Sequence, residues 1–334
     1  MGKTLLAVDV GGSTSRAYIV DSAGHCLGRG RSGGGNPAST DPERAAAAII
    51  AAVEAAAAEA GGPPLDLAVA QLALAGPQAH VALGRLDTAF RGLGLAGPIV
   101  FAGDLLAMFA SVTPELNGYC VVAGTGSGAV RIRNGAIVRA VDAVGWLLGD
   151  TGSGFWLGHH GAKAVVAELD GRGEKTLLTP AFLEALGVPL TEQWTDTGRR
   201  TSLKLFVDAI YALRPIELAR FSPLVIAHRG DAVAAAIIAE AERNLVADFE
   251  TAFDRSMPGP VALGGGVIAH LTGVPAAIAA IVGAAGHEPD IRPVADGSVG
   301  AIVLALRSIG ITVDAAIFAT ILASLAERNA NRAG

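Results

Sequence analysis

The chain opens with short apolar runs that are separated by turn-forming residues. These runs lie at Lys3–Val10, Ser15–Val20 and Cys26–Arg31. Apolar runs of this length, bounded by glycine-rich turns, predict three strands joined by tight connections. The apolar spacing then widens to that of an Ala-rich helix over Pro42–Ala60, and Asp41 is well placed to cap it.

The same pattern returns near the middle of the chain. Three further apolar runs lie at Tyr119–Ala123, Ala129–Arg133 and Ala136–Ala140, with Asn134-Gly135 between the last two. Asn-Gly is the strongest two-residue hairpin signal, so a second meander is predicted. The repeat concerns the order of elements and not residue identity, which makes it weak support for a duplication when taken alone.

After each meander the pattern alternates between helical and strand spacing. In the first half it predicts a strand at Leu67–Ala75, a helix near His80–Gly92, a strand at Pro98–Ala102 and a helix after Asp104. In the second half it predicts a helix at Gly154–Leu169, a largely helical insertion at about 180–252, strands at Pro260–Leu263 and Pro289–Val294, and helices to about Arg328. The order βββαβαβα of the first half indicates an α/β fold.

Composition and charge narrow the range of partners. The chain has 334 residues, 51% of them hydrophobic, so it can bury a large core and form two domains. Its net charge is −6 without any block of like charges, which favours a small-molecule partner over nucleic acid or a membrane. The start lacks a signal-type pattern, so a cytoplasmic location is expected. Cys26 and Cys120 lack metal-ligand spacing and are expected to be reduced, packed thiols.

A first Gly-rich loop joins the first two predicted strands. Gly11 and Gly12 let backbone N–H groups approach an oxygen-rich anion, and the hydroxyls of Ser13 and Thr14 add donors. Asp9, at the end of the strand, is suited to hold Mg²⁺ through water. A plain Gly-Gly hairpin would have the same sequence, so the loop alone leaves both interpretations open.

A second Gly-rich loop occupies the same place in the second half. It consists of Gly124, Thr125, Gly126, Ser127 and Gly128. It lacks the lysine of a P-loop and the spacing of a dinucleotide fingerprint. Two such loops at equivalent positions could close on one polyphosphate, which makes the pair more informative than either loop.

A third glycine cluster, Gly264, Gly265 and Gly266, follows a predicted strand and opens into a predicted helix. Small residues there would let a nucleoside lie against the backbone, and the helix N-terminus would add N–H donors. A tight turn from strand to helix is the alternative.

These loops, in this order over nearly the whole chain, resemble those of the sugar kinase/actin/heat-shock-70 superfamily. The stretch from Gly145 to Gly158, GWLLGDTGSGFWLG, is similar to the BadF/BadG-type ATPase group that contains N-acetylglucosamine kinases, and within it to actinobacterial glucosamine kinases. The resemblance implies two actin-like (ribonuclease H-like) domains, each a mixed five-stranded sheet flanked by helices, with a ligand cleft between them. They would span 1–112, completed by a C-terminal helix at about 312–330, and 113–311, with the insertion inside.

The resemblance also implies an activity. Such a chain would use ATP and Mg²⁺ to convert glucosamine into glucosamine 6-phosphate, with N-acetylglucosamine as the alternative substrate. Closure of the two domains would exclude water. Pairing as a homodimer is expected from the same likeness.

The resemblance further assigns individual residues to the sugar site. They are Asn36, Asp104, Thr125, Gly145, Trp146 and Asp150. Asp104 would be the catalytic base, because a carboxylate at a helix N-terminus is expected to stay ionised. The alternatives are an N-cap role for Asp104 or Asp150 and a simple turn at Asn36. Thr151 departs from the acidic residue often found there in N-acetylglucosamine kinases, which leaves the partner of the sugar's C2 group open.

Two other functional classes stay open, as does the role of one pair of histidines. An activator ATPase of a radical reductase would need cysteines for a bridging iron–sulfur cluster. A sensor that binds sugar or nucleotide without catalysis would not need the three aspartates Asp9, Asp104 and Asp150. His159 and His160 face different directions on a helix, so at most one is expected to reach the cleft, and packing is the expected role of each.

Overall fold

The first of two sheets follows directly from the opening meander. The computed structural model describes residues 3–37, 40–74 and 82–330, so Ala75 and His80, at the ends of two predicted elements, lie outside the described residues. The strands are β1 (Thr4–Val10), β2 (Thr14–Asp21), β3 (Cys26–Gly33), β4 (Leu67–Leu74) and β5 (Ile99–Gly103). They lie in the order β3-β2-β1-β4-β5. Strands β1, β2 and β3 pair antiparallel, whereas β4 and β5 join in parallel.

The second sheet repeats the first strand for strand. Its strands are β6 (Gly118–Ala123), β7 (Ser127–Arg133), β8 (Ala136–Asp142), β9 (Val261–Gly264) and β10 (Ile291–Val294). Their order, β8-β7-β6-β9-β10, and their antiparallel and parallel pairings match those of the first sheet. The predicted fold of two mixed five-stranded sheets flanked by helices is confirmed, and the weak internal repeat of the sequence is a repeat of topology.

Eleven α-helices flank the sheets within the described residues. They are α1 (Pro42–Glu59), α2 (Leu83–Gly92), α3 (Asp104–Ala110), α4 (Gly154–Leu169), α5 (Leu178–Ala185), α6 (Thr201–Tyr211), α7 (Ser222–Ala227), α8 (Ala232–Ala252), α9 (Gly273–Ala284), α10 (Ser298–Ser308) and α11 (Ala315–Ala330). Helix α1 buries its alanines and Ile49 on one face of the first sheet, and α10 covers the other face. Helices α4 and α8 enclose the core of the second sheet.

Local sequence signals account for the ends of several elements. The Asp41 carboxylate accepts hydrogen bonds from the backbone N–H groups of Glu43 and Arg44, with Pro42 in the first turn, as predicted. Asn134 and Gly135 both have positive φ, 52° and 75°, which is the geometry of the primed turn predicted for this hairpin. The two meanders therefore have the register that their turns specify.

The end of the chain returns to the first sheet. Helix α10 packs in the same core as Leu5, Val20 and Val69 of the first sheet, and Phe318 and Ile321 of α11 complete that core. The predicted domain division stays a prediction, but it assigns residues 298–308 to the second domain, whereas they pack with the first sheet. Sequence order alone does not show this, because α10 follows directly on a strand of the second sheet.

The helical insertion packs on the second sheet as a layer of its own, which includes a 3₁₀ helix at Pro215–Phe221. In the described part of the chain, no single helix combines the length and apolar character needed to cross a bilayer. Only the two consecutive helical segments Pro215–Ala227 and Ala232–Ala252, taken together, are long and apolar enough, and their axes are bent by 116° at the break between them.

Candidate active site

A cavity of about 640 Å³ lies where the two halves meet. All three glycine clusters contribute to its lining. From the predicted nucleotide-binding set, the lining residues are Gly11, Gly12, Ser13, Thr14, Gly124, Thr125, Gly265 and Gly266. The structure thus places the loops of the two meanders around one cavity, where a single ligand can contact both.

Backbone hydrogen bonds tie the second loop to the start of α4 and to the residue that follows the third loop. The N–H of Gly154 donates to the carbonyl of Gly124 at 2.7 Å, and the N–H of Val267 donates to the carbonyl of Ala123 at 2.9 Å. Gly265 has φ +96° and lies so close to Ala123 that a Cβ would collide with the Ala123 carbonyl. Glycine is therefore required at this position by both conformation and space.

Three predicted nucleotide residues do not line the cavity. Gly264 faces Met108 and Val294 in the interior. Gly126 lies against the carboxylate of Asp150, and the buried Ser127 hydroxyl donates to the carbonyl of Thr151 at 3.0 Å. Ser127 and Gly126 thus face the loop that contains Asp150.

The expectation that the third cluster opens into a helix is wrong. A short 3₁₀ turn, Ile268–His270, comes first, and α9 begins only at Gly273. A strand followed by a single 3₁₀ turn has the same sequence pattern as a strand followed by an α-helix, so the sequence did not distinguish the two. Any ligand at Gly265 and Gly266 would meet loop N–H groups and not a helix N-terminus.

The helical insertion supplies one wall of the cavity, which the sequence left open. The lining residues from this wall are Ala219, Ser222, Pro223, Ile226 and Ala227. They form a mostly apolar surface in the same cavity as the third glycine cluster, which suits a flat heterocycle. The adjoining cavity of about 390 Å³ is shared by Gly12 and Thr125 with Arg214 and Arg220 from the same insertion.

Asp9 lies near the end of β1, and its buried carboxylate has both a positive and a negative side chain as neighbours. The Arg16 guanidinium lies 3.3 Å from its Oδ2 atom and 3.4 Å from Oδ2 of Asp296. Burial is the main reason that the pKa of Asp9 rises to about 6, and the charge of Asp296 raises it further. The carboxylate also lies against Gly297, where a Cβ would approach its Oδ1 to 2.7 Å.

The donor set near Asp9 fits a magnesium ion bound mainly by water and phosphate oxygens. No group of three or more His, Cys, Asp or Glu side chains is placed to hold a metal in the described part of the chain. Magnesium commonly takes one or two carboxylates and keeps several waters, so the single buried Asp9 is compatible with it. Asp296 and Arg16, which set the charge of Asp9, lack any motif that would have indicated them.

Asp104 is the first residue of α3, and its Oδ1 accepts a hydrogen bond from the N–H of Leu105 at 3.0 Å. Burial raises its pKa, and the negative charge of Asp150 raises it further, although the backbone N–H groups oppose the shift. The expectation that the helix N-terminus keeps this group readily ionised is thus incomplete, because desolvation outweighs the short helix. A raised pKa suits a group that must accept a proton near neutral pH.

Asp150 is held by backbone geometry and not as a helix cap. It has φ +56°, and its carboxylate is buried against Gly126. Burial is the main cause of its raised pKa. Ser153 is the cap of α4, since its hydroxyl accepts from the N–H of Trp156. The alternative in which Asp150 only caps α4 does not apply.

Asp142 positions the Asp150 loop, although sequence reasoning missed it. Its carboxylate accepts hydrogen bonds from the N–H groups of Asp150 and Thr151, at 2.7 and 2.9 Å, and from the Thr151 hydroxyl at 2.9 Å. Thr151 is therefore turned toward Asp142. A carboxylate at the end of the second meander, eight residues before Asp150, was the only signal available.

The other predicted sugar residues lie around the same loops. Asn36 is buried, and its neighbour Gly35 donates its N–H to the carbonyl of Gly11 at 3.2 Å, so this loop packs on the first glycine loop. Trp146 is half-exposed, with its ring 5.4 Å from that of Phe155. Neither Asn36 nor Trp146 lines the main cavity.

His159 and His160 pack against aromatic rings of their own helix. His159 stacks on Phe155 at 5.5 Å and His160 stacks on Trp156 at 3.7 Å. The Nδ1 atom of His160 lies 2.8 Å from the Trp156 carbonyl and must donate to it, because a carbonyl only accepts. Burial lowers the pKa of both rings. Neither ring lines the main cavity.

Comparison with known proteins places this geometry in a family. Residues 6–305 match the BadF/BadG/BcrA/BcrD ATPase family. An N-acetylmuramic acid/N-acetylglucosamine kinase of Clostridium acetobutylicum is 34% identical over 104 residues, which are 30% of this chain and 33% of that relative. The chain thus matches about a third of the length of this curated relative.

Two solved structures share the architecture over nearly their whole length. A candidate N-acetylglucosamine kinase from Chromobacterium violaceum superposes with a TM-score of 0.71 at 27% identity, covering 91% of this chain and 99% of that one. A second candidate N-acetylglucosamine kinase, from Porphyromonas gingivalis, has a TM-score of 0.66 at 20% identity and covers 92% and 100%. The second likeness concerns the fold alone.

Proposed function

The chain belongs to the BadF/BadG/BcrA/BcrD ATPase family, and from this premise we propose that it is an ATP-dependent amino-sugar kinase that converts glucosamine into glucosamine 6-phosphate. The observation that carries the proposal is the cavity lined by the glycine loops of both meanders, together with the Asp150 carboxylate, which lies against Gly126 of the second loop and interacts with the half-buried Asp104. The names of the Clostridium and Chromobacterium relatives, both sugar kinases, support the same class.

In the proposed reaction the nucleotide lies between the loops at Gly11 and Gly124. The apolar wall around Ile226 receives the base, and the loop N–H groups receive the phosphates. Asp9 would hold a magnesium ion through water, and that ion would supply positive charge to offset the charge of the nucleotide's phosphates. Catalysis by the chain's own residues then rests on orientation and on exclusion of water.

Asp104 accepts the proton of the sugar's 6-hydroxyl as that oxygen attacks the γ-phosphorus. The bond between the γ-phosphorus and the β–γ bridging oxygen breaks in the same step, and ADP leaves. Asp150 fixes the sugar by accepting hydrogen bonds from its hydroxyls. The Asp104 carboxylate accepts a hydrogen bond from the N–H of Leu105, and the Asp142 carboxylate holds the backbone of Asp150, so little reorganisation is needed when the sugar enters. Thr125, between the two sites, borders both the phosphate region and the loop of Asp150.

The carboxylates of Asp104 and Asp150 favour glucosamine over its acetylated form. Their charges oppose each other, since Asp150 raises the pKa of Asp104. An ammonium group at C2 would offset that repulsion, whereas a neutral acetamide would not. N-acetylglucosamine is the second candidate, because the kinases similar to this chain carry that name.

The purified chain should phosphorylate glucosamine in the presence of ATP and Mg²⁺. We expect kcat/KM for glucosamine to exceed that for N-acetylglucosamine by at least about tenfold, which corresponds to about 1.4 kcal/mol of transition-state discrimination. Release of ADP measures the rate, and NMR locates the new phosphate on C6. The reverse preference would assign the acetylated sugar, and ATP binding without turnover of any sugar would make the chain a sensor.

The activator class receives little support from the two cysteines. Cys26 lies in β3 of the first sheet and Cys120 in β6 of the second, and both are buried. Burial raises the pKa of Cys26 to about 11 and raises that of Cys120 still further, so both thiols stay protonated. An iron–sulfur cluster shared between subunits needs exposed thiolates.

A further inference from the structure

A further cavity, of about 480 Å³, lies on the first sheet next to the nucleotide cavity, with which it shares Arg16. Three arginines line it, Arg16 from β2 and Arg29 and Arg31 from β3. The only acidic residue in its lining is Asp296. Arg16 has two carboxylate partners, Asp9 and Asp296, so the positive charge that this concave site leaves unbalanced is that of Arg31.

The arginines are brought together by strand register. Arg16 pairs directly with Arg31 across β2 and β3, and Tyr18 pairs with Arg29. All four side chains therefore project from the same face of the sheet. Like charges placed directly opposite each other destabilise an antiparallel pair, so this arrangement favours an anion that bridges Arg16 and Arg31.

Of the two paired arginines, only Arg16 has acidic partners that neutralise its charge. Arg16 contacts Asp9 and Asp296 at 3.3 and 3.4 Å. The guanidinium of Arg31 is exposed and has no ion-pair or hydrogen-bond partner among residues 3–37, 40–74 and 82–330. It is therefore available to a ligand at the open side of the cavity.

The rest of the wall fits a small organic phosphate. Ser298 accepts a hydrogen bond from Tyr18 at 2.9 Å and keeps its own hydroxyl proton for an anion oxygen. Ser298 also begins α10, whose N-terminus adds positive potential. Leu322 and Leu325 of α11 supply an apolar side for the body of the ligand.

We propose that this arginine cavity is a second ligand site, which binds a phosphomonoester dianion. Planar guanidinium groups bind phosphate oxygens in pairs, and two or three of them match a dianion. Arg16 lines both this cavity and the nucleotide cavity. A ligand that draws Arg16 away from Asp9 changes the charge at the proposed magnesium position, so the site couples to the cleft.

The test is calorimetric titration of the full chain with inorganic phosphate and, separately, with glucosamine 6-phosphate. Only the choice of the sugar phosphate rests on the proposed function. Wild type should bind at a saturable site, and Arg31→Gln should weaken that binding at least about tenfold, because one bidentate contact is lost. Tighter binding of the sugar phosphate would identify a product-like ligand, and equal binding would identify free phosphate.

Arg44→Gln is the matched control. Arg44 is an exposed arginine on α1, on the opposite face of the same sheet, so the change removes the same charge outside the cavity. It should bind both probes as wild type does. Absence of saturable binding in wild type, unchanged binding in Arg31→Gln, or equal weakening by both substitutions would overturn the site. These binding results stand whether or not the chain proves to be a glucosamine kinase.

Discussion

At the scale of single residues, the cleft is defined by carboxylates kept in unfavourable surroundings. Burial raises the pKa of Asp9, Asp104 and Asp150, and neighbouring carboxylates add to each shift. A carboxyl whose pKa is higher in the folded than in the unfolded chain opposes folding fully at pH values above its folded pKa. That opposition decreases as the pH falls through the folded pKa and is gone below the unfolded pKa. The protein thus keeps these groups at a cost in stability, which is typical of functional sites.

Asp104→Asn should lower kcat by roughly 10²- to 10⁴-fold, the usual contribution of a general base. ATP binding should be retained, because Asp104 lies outside the lining of the nucleotide cavity. The pKa of Asp104 is raised, so wild-type activity should fall on the acid side at a pH above the usual carboxyl range. Steady-state kinetics from pH 5 to 9 and calorimetry with ATP measure these effects.

The melting temperature of Asp104→Asn shows whether a loss of activity comes from lost catalysis or from unfolding. Asparagine is neutral and cannot be destabilised by burial as the ionised carboxylate is, so the variant should melt at the same temperature as wild type or higher at pH 8. The exposed Asp208→Asn, on α6, serves as the control and should leave kcat unchanged. Retention of full activity in Asp104→Asn would exclude it as the base.

At the scale of elements, the contact between α4 and the 3₁₀ helix Pro215–Phe221 determines where the apolar wall of the cavity stands. Gly158 of α4 approaches the carbonyl of Leu218 so closely that a Cβ would overlap it. Gly154, one turn earlier, lies beside Gly124 and Ser222 in the same way. Two glycines on one face of α4 therefore allow the insertion to reach the nucleotide cavity.

Gly158→Ala should separate α4 from the insertion. Overpacking of this kind costs about 1–3 kcal/mol, so we expect a lower melting temperature together with a several-fold weaker affinity for ATP. Thermal unfolding and nucleotide titration measure the two effects. The control is Gly283→Ala in α9, an exposed helical position where a Cβ meets nothing within 4 Å.

The control should gain about 0.5–1 kcal/mol, because alanine loses less conformational entropy than glycine in a helix. It should bind ATP as wild type does. If Gly158→Ala melted and bound ATP like wild type, the close contact of α4 with Leu218 would not be what positions the wall.

At the scale of the whole molecule, α3 connects the two halves. Ala107 and Ala110 of α3 belong to the core of the first sheet, whereas Phe109 packs with Cys120 and Ala262 of the second. The helix also begins with Asp104. A rotation of one half against the other therefore moves the proposed base together with the walls of the cleft, which is the behaviour expected of a hinge.

Binding of both substrates should close the cleft. We expect the radius of gyration from small-angle X-ray scattering to fall when a non-hydrolysable ATP analogue, Mg²⁺ and glucosamine are all present, since closure expels water from between the halves. Asp150→Asn is the control, and it should close less at the same sugar concentration, because its contacts to the sugar are weakened. A radius that stays constant in every mixture would mean that the two halves do not move.

The sequence alone determined the order and type of nearly every element. Both meanders, the Asp41 cap and the Asn134-Gly135 turn follow from local spacing and turn chemistry, which act over a few residues. The glycine loops were identified for the same reason, since their composition is local. Two equivalent loops then suggested a shared ligand, and the structure places them on one cavity.

Only the tertiary structure decided which distant side chains meet. Arg16 reaches Asp296 only because α10 returns to the first sheet, and Asp142 reaches the Asp150 loop only because β8 ends beside it. Register places Arg31 opposite Arg16, and packing of α4 brings the insertion to the cleft. Periodicity specifies which face of an element is buried, whereas the partner of that face is chosen by packing of the whole chain, and no local pattern encodes that choice.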